Sequence, residues 1–243
     1  MAPLPLSHHT LKHIKNDFNI TPGIINQRPI LAALVLHIIT IWAQIELEFF
    51  QLTASWLEAK QEFVAAMLLE LSSEGQRAAM RAAAKQALAN QQAALDVFHV
   101  LDARATGCRT RRNDFVHGVW AVHSSQLPDA LLLFEPAYFA QQQNSAHAHN
   151  RRVTALFDAG KPDEAKSLVR RPLDRSKLWR WRESDLKHEL IRFEKMNWRI
   201  RTFHLLSYLS EPVRSHTLRQ LDADLRSEQP PRTPRTRRPQ RSR

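Results

Sequence analysis

Pro29–Trp56, PILAALVLHIITIWAQIELEFFQLTASW, is the stretch that decides the fold. Leu31, Leu34, Val35, Ile38, Ile41, Trp42, Ile45, Phe49 and Leu52 recur at three- and four-residue steps. That period predicts a long helix, and Pro29 suits its first turn. Its first half, Ile30 to Ala43, is apolar on nearly every side, which predicts a central position in a helical bundle. This fourteen-residue run, which includes His37, falls short of the roughly 20 residues that cross a bilayer, so no membrane span is expected. The run also lacks the charged, apolar, then small order of a signal peptide.

Working outward, further helical patterns follow. Leu57–Leu71 places Phe63, Val64, Met67 and Leu68 on one face, with Gly75 as the expected stop. The alanine-rich segment Glu74–Ala103 reads as a third helix ending at Thr106 and Gly107. A short basic link, Arg109–Arg112, comes next. Val119–Val122 and Ala130–Phe134 are too short for helices and predict a small strand pair. Residues 141–150 read as a polar linker, and Pro162–Arg170 as a weak helix. Ser184–Leu209 is the last strong helix, ended by Glu211 and Pro212.

The expectation is therefore a mainly all-α protein with four principal helices. Residues 1–28 form a mobile leader, 29–140 a helical core carrying the strand pair, and 141–225 a linker with C-terminal helices. Residues 226–243 form a disordered Arg/Pro-rich tail. A chain of 243 residues buries a sizeable core without staples. The five glycines never cluster into a phosphate-cradling loop, which excludes P-loop and dinucleotide-binding enzymes. One cysteine, Cys108, excludes an internal disulfide framework and a zinc finger, and fits a cytoplasmic setting. No cofactor is expected. His147 and His149 have no local acid or cysteine to complete a metal set, so no metal site is assigned.

The formal charge is +11, of which residues 226–243 carry +6 through seven arginines against Glu228. Such a balance points to anionic partners, RNA among them. Lys177-Leu178-Trp179-Arg180-Trp181-Arg182 interleaves basic and aromatic residues, the combination that holds single strands by stacking and phosphate contact. An extended backbone there puts both tryptophans on one side. Packing of those tryptophans onto the bundle is the competing reading.

The string Arg112-Asn113-Asp114-Phe115-Val116-His117 carries the chemistry. Metal-free RNA cleavage needs a proton acceptor at the ribose 2′-hydroxyl, a donor at the leaving 5′-oxygen and a cation on the phosphate. Histidine, with an ordinary pKa of about 6.5, serves as acid or base near neutrality. Arginine grips phosphate oxygens bidentately and stays charged. On a regular helix, however, Arg112 and His117 stand about 140° apart. Convergence then needs the long arginine side chain, an irregular turn or a second chain. Arg112 could instead pair with Glu46 or Glu48, and His117 could be a core histidine beside Trp120.

An arginine, a polar residue and a histidine after four intervening positions, set among helices, resemble the HEPN superfamily (higher eukaryotes and prokaryotes nucleotide-binding). The likeness covers about residues 30–125. It implies a helical, commonly dimeric, metal-independent endoribonuclease of a toxin or defence system, with a separate antitoxin chain. It places Arg112 on the phosphate, Asn113 orienting it and His117 as acid or base. Glu46 is a candidate partner behind Arg112. A homodimer supplies two histidines where one chain supplies one. The alternatives are a non-catalytic nucleotide- or RNA-binding module and a helical interaction scaffold.

Overall fold

The computed structural model describes residues 18–21, 23–123, 127–168 and 177–227. Most of the expected leader, nearly all of the expected tail and the end of the expected weak helix at Arg170 lie outside them. Eight α-helices occur among the described residues: α1 Pro29–Trp56, α2 Gln61–Leu69, α3 Ser73–Ala87, α4 Gln92–His117, α5 Pro136–Asp158, α6 Pro162–Ser167, α7 Glu183–Leu205 and α8 Glu211–Ser227. The mainly helical class stands. The expectation of four principal helices gives way to these eight.

Strands β2 Val119–His123, β3 Ala130–Phe134 and β4 Leu178–Arg182 form an antiparallel sheet, with β3 central. The two-residue β1, Phe18–Asn19, pairs with the free edge of β2. The expected strand pair is present, with Val119 opposite Phe134 and Ala121 opposite Leu132. β4 is the addition: Leu178 lies opposite Phe134, Arg180 opposite Leu132 and Arg182 opposite Ala130. All five residues of β3 are buried, as a strand covered on both faces requires.

The chain divides into two compact units, residues 1–43 with 107–194, and residues 44–106 with 195–243. In the first unit, Ala121, Leu127, Ala130, Leu132, Phe134, Tyr138 and Leu178 fill one side of the sheet. The ring of Trp42 meets that of Phe193 edge-on at 6.3 Å. In the second unit Phe98 is the hub, with Trp56 at 5.0 Å, Phe203 at 6.3 Å and Phe49 at 6.5 Å. Asp102 is buried there under Arg77 and Arg81.

Several sequence expectations are corrected. The segment read as one helix over 74–103 is two, α3 and α4. Gly75 starts α3 rather than stopping α2: its N–H donates to the Ser72 side chain at 3.2 Å, an N-cap bond. Thr106 and Gly107 do not end α4. The Thr106 hydroxyl donates to the Asp102 carbonyl one turn back, which the helix tolerates. Gly107 lies where a Cβ would come within 2.6 Å of Arg192 Nη2, so a small residue fits the packing.

The polar linker over 141–150 is the middle of α5. Pro136 sits in the first turn of α5, and glutamine and alanine are good helix formers without any apolar period. The last strong helix, expected to reach Leu209, ends at Leu205, and Glu211 and Pro212 do not end it; they open α8, whose Leu221 and Leu225 are buried. α1 buries one face rather than all sides: Leu31, Val35, Ile38, Ile41, Trp42, Ile45, Phe49 and Leu52 are inside, while Ile30, Leu36 and Leu47 are exposed. By length and composition α1 is able to cross a membrane. Its spaced buried face is that of a core helix.

Candidate nucleolytic site

The motif occupies the C-terminal turns of α4, within the first unit. Phe115 anchors them. Its ring is buried edge-on to Trp181 at 4.8 Å and lies 5.8 Å from Trp120. Trp120 Nε1 donates to the Phe115 carbonyl at 3.0 Å, so β2 folds back onto the helix that precedes it. The Gly118 N–H completes the helical pattern onto the Asp114 carbonyl at 2.8 Å, and β2 begins at the next residue. A Cβ on Gly118 would sit 2.4 Å from that carbonyl and 2.3 Å from Leu133 Cδ1. Only glycine allows helix end and sheet to approach this closely.

Burying Phe115 turns His117 outward. It is exposed, not the core histidine that Trp120 suggested. Helix geometry puts Asn113 about 40° to one side of His117 on the turn below, and Asp114 about 60° to the other. Each of these side chains holds an arginine. Arg112 Nη1 donates to Asn113 Oδ1 at 3.1 Å, and Arg111 Nη1 donates to Asp114 Oδ2 at 3.2 Å. The Asn113 bond holds the Arg112 guanidinium against the neighbouring side chain on the helix. Arg112 is half-buried, and its Nε has no hydrogen-bond partner among the described residues.

Arg111 is held more firmly. Its guanidinium lies over the Trp181 ring at 5.0 Å, and its Nε stands 4.0 Å from the buried carboxylate of Glu189, which also takes Arg192 at 3.2 Å. Burial pushes the Asp114 carboxyl up, against the pull of Arg111, and Glu135 adds to the rise. Sequence reasoning passed over Arg111 and Asp114. The signal was available: with His117 they form an i, i+3, i+6 ladder once the link is known to be helical.

Glu46 falls in the second unit's part of α1, half-buried. Glu48, the other acid considered for Arg112, instead takes Arg201 at 3.3 Å and His204 at 3.0 Å. The basic-aromatic segment is β4. Trp179 and Trp181 do share a side, but Trp181 is fully buried, opposite Leu131 and against Phe115, where no base reaches its face. Trp179 and Arg180 are half-buried. Lys177 pairs with Glu135 at 3.5 Å and Arg182 with Asp129 at 3.5 Å. Packing therefore takes Trp181. Cys108 is buried. His147 and His149 lie in α5, and no group of three or more metal-ligating side chains occurs among the described residues. No family model, curated protein or solved structure matches this chain.

Proposed function

We propose that the chain is a HEPN-like, metal-independent endoribonuclease, with Arg112 on the scissile phosphate, Asn113 orienting it and His117 moving a proton. One observation carries the reading: on the end of α4 a solvent-open histidine lies one turn above an asparagine whose side chain holds the Arg112 guanidinium. A guanidinium so placed neutralises charge developing on the phosphate, and the imidazole takes the 2′-hydroxyl proton. The attacking 2′-oxygen displaces the 5′-oxygen, leaving a 2′,3′-cyclic phosphate. A cytoplasmic toxin or defence role, a separate antitoxin chain and a homodimer belong to the same proposal.

The test is incubation of purified protein with mixed RNA in EDTA. Expected products carry 2′,3′-cyclic phosphate ends, and Arg112→Ala and His117→Ala each lower the rate by roughly 10²-fold or more. Binding without cleavage assigns the chain to the non-catalytic binders. Neither binding nor cleavage leaves an interaction scaffold.

A further inference from the structure

We infer that a cavity at the start of α1 binds a small organic monoanion, an apolar body carrying one carboxylate or similar head. The inference is independent of the nuclease reading, since no motif residue takes part. The cavity, of 390 Å³, opens within the first unit between the start of α1, the connection from β2 to β3 and the start of α7. Small-molecule sites commonly measure about 300–1,000 Å³ and combine apolar walls with a few polar groups. Ile30 and Leu31 line this one from α1, Pro128 from the connection and Ser184 from α7. Ile30 is 63 % exposed, a surface that the ligand's apolar part would cover.

Arg28 sets the sign of the ligand. It lines the cavity half-buried, just before Pro29. Its Nη1 donates to the Gln27 carbonyl at 3.0 Å, its Nε is buried with no partner, and no acid pairs with it among the described residues. A guanidinium nitrogen shut away from water without an acceptor is costly, and an anion that draws the side chain into the cavity supplies one. The other charges on the wall are offset. Arg182 stands 3.5 Å from Asp129, and Lys187 takes Glu183 at 2.6 Å. One guanidinium is left without a counter-charge, which calls for one negative charge on the ligand.

The backbone beside Arg28 adds donors. The Ala32 N–H turns back to the Arg28 carbonyl at 2.9 Å, and Pro29 has no N–H. Between them, the N–H groups of Ile30 and Leu31 have no acceptor among the described residues. They stand at the positive end of a 28-residue helix whose first turn has no acidic residue. The start of α7 differs: its first turn carries Glu183 and Asp185, and Asp185 Oδ2 already accepts the Arg182 N–H at 3.0 Å. The anionic head therefore belongs at the α1 side of the cavity, against Arg28.

The test titrates hexanoate, hexylamine and inorganic phosphate separately into the full-length protein and follows the backbone amide resonances of Ile30 and Leu31 by NMR. Hexanoate is expected to shift both saturably. Hexylamine, with the same body and the opposite charge, is expected to shift neither. Phosphate, an anion without the body, is expected to bind roughly tenfold more weakly or worse. Arg28→Gln removes the charge and should weaken hexanoate by roughly tenfold or more, while Arg28→Lys, which keeps it, should weaken it less. Thermal melts check that both variants fold.

Wild type that responds to none of the probes, or to hexylamine as it does to hexanoate, overturns the site. Phosphate binding as tightly as hexanoate overturns the ligand class, because the apolar wall then contributes nothing. A folded Gln variant that binds hexanoate within about threefold of wild type overturns the role of Arg28. Where that variant does not fold, the ranking of the three probes on wild type decides alone. RNA cleavage by Arg28→Gln is expected at the wild-type rate, so this site and the nuclease reading fail separately.

Discussion

Gly118 shows how one residue conditions the proposed site. A methyl group there meets a backbone carbonyl and the Leu133 side chain at once, and the carbonyl cannot move without unwinding the last turn of α4. Gly118→Ala is expected to cost about 1–3 kcal/mol in urea denaturation, the usual penalty for overpacking. Wild-type stability in that variant would mean that helix and sheet do not approach this closely. Asp102 makes a second residue-scale case. Burial alone would raise its carboxyl pKa, but hydrogen bonds from Arg77 at 3.1 Å and Arg81 at 2.7 Å outweigh that and hold it below the usual carboxylate range. Its folded value thus lies below its unfolded value, near 3.9. The stabilisation is present above that unfolded value and is lost as pH falls through the folded one. Asp102→Ala leaves two guanidinium groups without their buried partner and is expected to cost about 3–5 kcal/mol at pH 7. Melting curves at pH 7 and pH 3 should show the variant losing less stability on acidification than wild type.

Among the elements, α8 best separates what packs from what trails. Leu221 and Leu225 are buried, Arg199 bonds Asp224 at 2.7 Å, and Arg104 donates to the Leu225 carbonyl. The expected tail at 226–243 therefore overlaps a folded helix by two residues. Arg226 pairs with Asp222, and Ser227 donates to the Asp224 carbonyl. Truncation after Ser227 should leave the melting temperature within a degree or two of wild type, because all of these interactions remain. Truncation after Thr217 strips both buried leucines and should lower stability by about 4–8 kcal/mol, taking 2–4 kcal/mol for each core leucine. Equal melting temperatures for the two truncations would show that α8 is not part of the core. β4 makes a parallel point: a strand that looked like a nucleic-acid platform owes Trp181 to the layer that seats the motif helix.

Taken whole, the molecule pairs a basic balance with cations around the motif that are mostly spoken for. Arg111 on α4 and Lys177 and Arg182 at the two ends of β4 all face acids, while Arg112 bonds the neutral Asn113 side chain. Non-specific RNA affinity should therefore depend on residues 228–243, which carry six arginines against Glu228. Removing them should weaken binding and flatten the plot of log affinity against log salt, by about 0.7 for each phosphate that is no longer neutralised. A slope that does not change would show the segment to be a solubiliser. Cleavage by the truncated protein should persist, since Arg112, Asn113 and His117 all lie in α4.

By itself the sequence determined the helical class, the course of α1, the pairing of β2 with β3 and the composition of the motif. Each is written in local periodicity or in neighbouring residue types, which a helix or a hairpin reads over a few residues. What it left open was decided by contacts distant along the chain. β4 becomes a strand because β3 lies beside it, some 48 residues earlier at the Ala130–Leu178 starts. α4 runs on through Gly107, where the Arg192 side chain packs close against the helix. α5 is a helix with almost no apolar period to announce it. The side on which His117 emerges follows from burying Phe115 against Trp181, and that orientation is what sets Asn113 with Arg112 on one flank and Asp114 with Arg111 on the other. A motif names the groups, but only packing fixes the direction in which a helix presents them.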